Sequence, residues 1–105
     1  MPNAWLVVRA AVADPGDRAA FDRWYHAEHL PDAKKAFGVS TAWRAWSTTD
    51  PSLHCAFYRF DTPERLDKVV AGPEIFNLIA EFDRHWAGRV TRVRETFVVV
   101  DDHVN

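Results

Sequence analysis

Ala4-Trp5-Leu6-Val7-Val8-Arg9-Ala10-Ala11-Val12 is the stretch on which the fold turns. It is rich in β-branched residues and runs into the turn signal Asp14-Pro15-Gly16, so it reads as a strand over 4–12. Successive side chains of a strand point to opposite faces. Here one face carries Leu6, Val8, Ala10 and Val12, and the other carries Trp5, Val7, Arg9 and Ala11. Both faces are predominantly apolar, and a strand of that kind is covered on both sides.

Working outward, Asp17 is a plausible N-cap for a helix from Arg18 to about Phe37. Pro31 should kink or break it, because proline has no N–H and crowds the preceding turn, and Gly38 marks its exit. A strand over 39–47, the polar turn Thr48-Thr49-Asp50-Pro51-Ser52 and a strand over 53–60 form a hairpin. Asp61-Thr62-Pro63-Glu64 opens a short helix with Leu66, Val69 and Val70 on its apolar face. Gly72 stops it, Pro73-Glu74 starts a second piece to about Ala87, and Gly88 precedes a last strand over 90–100. A short polar tail, 101–105, follows. Strand–helix–strand, twice, around a central hairpin is the ferredoxin-like βαββαβ unit, an α+β fold whose four-stranded antiparallel sheet carries its helices on one face. The third strand repeats the two-sidedness of the first, with Cys55 and Phe57 against Ala56, Tyr58 and Phe60. The face without helices therefore needs a cover, and a second copy about a two-fold axis is the simplest, giving an expected homodimer.

A chain of 105 residues suits a single domain over 1–105. The net charge of −2 argues against nucleic acid or an anionic membrane as partner. No apolar run approaches the roughly 18 residues that span a bilayer. No secretion signal is recognised, and the lone Cys55 fits a reducing compartment, so the expected location is cytoplasmic. Ala56-Phe57-Tyr58-Arg59-Phe60 matches the back half of an RNA-recognition strand, but Leu53-His54-Cys55 stands where the basic-glycine-aromatic half belongs. No glycine-rich phosphate loop and no nucleophile elbow is present. His26-Ala27-Glu28-His29 lacks the spacing of a zinc helix, so no metal is expected. Cys55, in an apolar strand, reads as an inert buried thiol.

At 100° per residue, Phe21, Trp24, Tyr25 and Glu28 share one stripe of the first helix, with His29 at its edge and His26 turned toward solvent. A carboxylate on a buried stripe must be paired or shifted in pKa. Three readings follow: Glu28 pairs with a sheet arginine such as Arg9 or Arg44 and orients the helix, Glu28 and His29 line a cavity between helices and sheet, or the helix is rotated and both are solvated. On the last helix Ile75, Ile79, Phe82 and Trp86 form a stripe flanked by Leu78 and His85. His85 either reaches the cavity or caps its helix end. Arg9, Arg44, His54, Tyr58, Arg92 and Arg94 are the polar candidates on the strands. Five tryptophans exceed what so small a core requires, and a cavity walled by some of them, Trp24 and Trp86 included, would suit a flat apolar ligand.

Trp24-Tyr25-His26-Ala27-Glu28-His29-Leu30-Pro31 resembles the W-Y-x-x-E-H-[IL]-P segment of the dimeric α+β barrel superfamily, near EthD-like proteins. The stretches Pro73-Glu74-Ile75-Phe76, Asp83-Arg84-His85-Trp86 and Arg92-Val93-Arg94 resemble the matching second helix and last strand. The resemblance implies a homodimer whose sheets form a barrel, with a cavity in each subunit. Relatives include cofactor-independent monooxygenases, lactone isomerases, polyketide cyclases and decarboxylases, and haem-degrading enzymes. Glu28 and His29 alone carry over by motif position. A haem ligand would be a second-helix histidine, here His85, but its surroundings match the haem-degrading pattern poorly. The expectation is a cofactor-free acid–base enzyme with Glu28 and His29 catalytic. Trp24, Tyr25, His85, Trp86, Arg9 and Arg44 would bind a small apolar or aromatic oxygenated compound. A non-catalytic binding dimer is the alternative.

Overall fold

A computed structural model describes residues 2–103. Strand β1 (Ala4–Val12) leads into helix α1 (Pro15–Trp24), a π-helical turn (Tyr25–His29) and helix α2 (Leu30–Phe37). The hairpin β2 (Ala42–Trp46) and β3 (Leu53–Phe60) follows, then α3 (Pro63–Ala71), α4 (Pro73–Trp86) and β4 (Val90–Val98). The sheet order is β2-β3-β1-β4 with all neighbours antiparallel, which is the expected ferredoxin-like arrangement. The first helix begins three residues earlier than its sequence suggests. Asp14, not Asp17, caps it by accepting from the Gly16 N–H at 2.9 Å, and Pro15 takes the first turn, where its missing N–H costs nothing. Strands β2 and β4 are shorter than expected, and of the polar tail Val104 and Asn105 lie outside the described residues.

The main departure lies around Pro31. Instead of kinking, the chain widens into one π turn, in which the Leu30 N–H donates to the Tyr25 carbonyl five residues back. Pro31, with no N–H to place, then starts α2 without losing a bond. One residue is thus added to the turn, and every side chain beyond it rotates by about a residue's worth of arc. Trp24 at the end of α1 is followed on the inner face by His29, five positions on, rather than by Glu28, four on.

The β1 register pairs Leu6 with Tyr58 and Thr96, Val8 with Ala56 and Arg94, and Ala10 with His54 and Arg92, all on the helix side. Phe21 sits at the centre of the packing, with ring centroids 5.4 Å from Tyr25, 5.2 Å from His54, 6.0 Å from Phe82 and 5.2 Å from Trp86. Most of these contacts are edge-to-face, the geometry that adds about 0.5–1.5 kcal/mol per pair to area burial. The opposite face is uncovered in the single chain. Trp43 stacks on Phe57 at 4.0 Å, Trp5 meets Trp43 edge-on at 6.0 Å, and Trp43, Val93 and Phe97 are about half exposed. Cys55 on this face is half-buried rather than sealed in an apolar strand, and burial is the first cause holding its thiol pKa above the ordinary value. No helix of the described residues is long and apolar enough to cross a membrane.

Candidate functional site

Between sheet and helices lies a narrow crevice with about 30 Å³ of free volume, or about 350 Å³ when the open space at its mouth is counted. Leu6 and Val8 form its floor, Ile75, Leu78, Ile79 and Phe82 of α4 one wall, and Ala33 and Phe37 of α2 the other. Its polar groups are Tyr25 and His29 from the π turn, Tyr58 from β3, and Arg92 and Arg94 from β4. The pattern of an apolar cleft with a few converging polar groups is that of a small-molecule site.

His29 is 7% exposed. Its ring stacks on Trp24 at 4.5 Å with 20° between planes, and lies 4.9 Å from Tyr25 and 5.9 Å from Phe82. Nδ1 is buried and, among the described residues, has no hydrogen-bond partner. Burial, reinforced by the positive charge of Arg92, pulls its pKa down to about 4, so the imidazole is neutral at neutral pH. Behind it the Tyr25 and Tyr58 hydroxyls interact with each other. Burial pushes the Tyr25 pKa up to about 12 and raises that of Tyr58 well above the ordinary phenol value, so both phenols stay protonated. On β4, Arg92 is held by Asp83 at 3.2 Å and lies 4.3 Å over the Phe82 ring.

A second polar cluster lies behind this wall. The Asp22 carboxylate accepts from Arg44 at 2.7 Å and from Trp46 Nε1 at 2.8 Å, and these bonds, Arg44's first, hold its pKa below the usual carboxylate range. Arg44 Nη1 also lies 3.4 Å from His54 Nε2. His54 is fully buried among Phe21, Tyr25 and Trp46, its Nδ1 has no partner, and burial lowers its pKa to about 4. It does not line the crevice.

Of the residues singled out in the sequence, His29 and Tyr25 meet in the crevice. Glu28 does not: it is exposed, because the π turn passes the inner position to His29. Neither pairing considered for Glu28 forms. Arg9 projects from the open face and binds Glu95 at 3.1 Å, and alternation puts it on the side of the sheet away from the crevice. Arg44 is on the helix side but is taken up by Asp22. Trp24 and Trp86 are buried core residues; Trp24 backs His29, and neither lines the crevice. His85 is half-buried at the end of α4, its Nδ1 bound to the Glu81 carbonyl at 3.0 Å and its ring 5.1 Å from Trp24, outside the lining. Tyr58, Arg92 and Arg94, which the sequence offers only as polar strand residues, line the crevice. The signal that selects them is the cross-strand register beside Leu6 and Val8, which one sequence does not disclose. Among the described residues no group of three His, Cys, Asp or Glu side chains is placed to hold a metal ion.

No protein-family model matches the chain, and no curated protein does. Solved structures do. A variant of SnoaB, a cofactor-independent oxygenase from Streptomyces nogalater, superposes with a TM-score of 0.68 at 12% identity over 95% of both chains. An EthD family protein from Bacillus halodurans gives 0.60 at 20% identity, covering 87% of this chain and 96% of that one. A dimeric ferredoxin-like protein from an uncultured marine organism gives 0.66 at 13%, covering 98% and 100%. The chain has a ferredoxin-like α+β fold, the fold it shares with these three structures.

Proposed function

We propose that this protein is a cofactor-independent acid–base catalyst for a small apolar or aromatic oxygenated compound bound in the helix–sheet crevice. The observation that carries the reading is His29, which lines an apolar crevice and whose buried Nδ1 has no hydrogen-bond partner among the described residues. Leaving a buried polar atom unpaired costs about 1–3 kcal/mol, and the cost has a use where a ligand supplies the partner. In the tautomer that leaves Nδ1 unprotonated, its lone pair takes a proton from an activated C–H or O–H of the ligand. Because burial holds the imidazolium pKa near 4, that proton is held loosely and is returned readily to another atom of the same ligand. The Tyr25 hydroxyl donates to the ligand oxygen and stabilises the charge that grows on it. Glu28, in solvent, has no part in the proton path.

The test is proton–deuterium exchange into 2-tetralone, a small aromatic ketone with an activated C–H, followed by NMR in heavy water. Wild-type protein accelerates the exchange and His29→Gln does not. Equal acceleration by both would overturn the role of His29. The proposal includes a homodimer closed over the open sheet face, supported by the exposed Trp43, Val93 and Phe97 there. Sedimentation equilibrium should give twice the 12.0 kDa of one chain; a single-chain mass would contradict it. A reducing cytoplasm suits the half-buried free thiol of Cys55.

A further inference from the structure

The crevice does not end at its apolar walls. Leu6, Arg92 and Arg94 also line a wider, more polar vestibule completed by Val70 and Thr96. Arg92, Arg94 and Thr96 alternate along β4 on the helix side, so the vestibule runs along that strand. The two arginines differ in their surroundings. Asp83 already neutralises Arg92. Among the described residues no carboxylate lies within ion-pairing distance of Arg94. Two residues of strand set Arg94 roughly 7 Å along the sheet from Arg92, the arginine whose charge is felt at His29. The site therefore combines an apolar crevice, a proton acceptor in its lining and, in the adjoining vestibule, a solvent-exposed guanidinium without an ion pair among the described residues.

We propose that the ligand of this site is an anionic amphiphile, an apolar or aromatic body carrying a carboxylate that Arg94 binds at the vestibule while the body fills the crevice toward His29. This rests on the crevice being the ligand site, and it specifies the substrate class. A guanidinium matches a carboxylate in two parallel hydrogen bonds, and such charge-assisted pairs are about twice as strong as neutral ones. Thr96 beside it offers a hydroxyl to the same group. A neutral ligand would leave Arg94 as it stands, so the preference for an anion is the measurable consequence.

Isothermal titration with 2-naphthoate and with 2-naphthalenemethanol, which share one aromatic body and differ in charge, tests this. Wild-type protein should bind the carboxylate about tenfold more tightly than the alcohol. Arg94→Met should abolish that preference while leaving the affinity for the alcohol within about twofold. Ile79→Trp, which fills the crevice, should weaken both ligands. Equal affinity for the two ligands, or a preference that survives Arg94→Met, overturns the proposal. If the alcohol still responds to Ile79→Trp in that case, the crevice stands as the ligand site and only its anion selectivity falls. If neither ligand responds to Ile79→Trp, or neither binds at millimolar concentration, the crevice reading and the anion proposal fall together.

Discussion

His29 and His54 are alike in most of what a sequence or a titration would report. Both are buried, both are held neutral with pKa values near 4, both have an unpartnered Nδ1, and both pack against Tyr25. They differ in what lies beyond the ring. His29 faces a crevice, whereas His54 is closed in by Phe21, Tyr25, Trp46 and the Asp22–Arg44 pair. A depressed pKa reports burial, and burial alone does not make a site. Access to an unfilled space separates the chemical histidine from the structural one.

Acid affects both histidines together. In the unfolded chain each imidazole takes a proton as the pH falls through 6.5, but in the folded chain it does not until about 4. The unfolded state therefore binds more protons in that window, and stability falls with pH from about 6.5 to about 4, by on the order of 3 kcal/mol per histidine. Urea midpoints at pH 7 and 4.5 check this, and replacing both histidines by phenylalanine should flatten the slope. Loss of stability only below pH 4 would instead point to carboxylates such as Asp22, held low by Arg44 and Trp46.

Truncation separates the two. His54→Ala empties a sealed aromatic cage and should cost about 3 kcal/mol, whereas His29→Ala only enlarges an existing crevice and should cost about 1 kcal/mol. Equal losses in urea unfolding would erase the distinction. Chemistry should run the other way. His29→Gln is expected to lower accelerated exchange about 100-fold, and His54→Gln by less than about threefold, once each variant is shown to be folded. Glu28→Gln should leave both stability and exchange within about twofold of wild type; a large loss would restore to Glu28 the role that the π turn removes.

The element order, the hairpin, the two-sided strands, the cap-and-proline start of α3 and the proline start of α4 are all legible, because alternation, glycine stops and Pro-at-N1 signals are local. Leu66, Ile75, Phe82 and Trp86 face inward where the 3.6-residue period puts them. That same period failed in one turn. A residue in five-residue π spacing is misassigned by an arc of about 100°, which is how Glu28 displaced His29 on the expected inner stripe. Pro31 was the available clue: a missing N–H can be accommodated by widening the turn before it as well as by a kink. Arg9 and Arg44 were misplaced for a different reason. Their faces follow from alternation, but their partners Glu95 and Asp22 follow from strand order and helix position, which require the assembled sheet. Arg94 was visible as a strand arginine, and only its register opposite Val8 brings it to the crevice.

The most direct test is an NMR titration of the imidazole resonances of His29 and His54, with and without 2-naphthoate. Both rings should stay neutral down to about pH 5, and the ligand should shift His29 while leaving His54 in place. Protonation of His29 near pH 6.5, or a ligand response at His54 with none at His29, would contradict this.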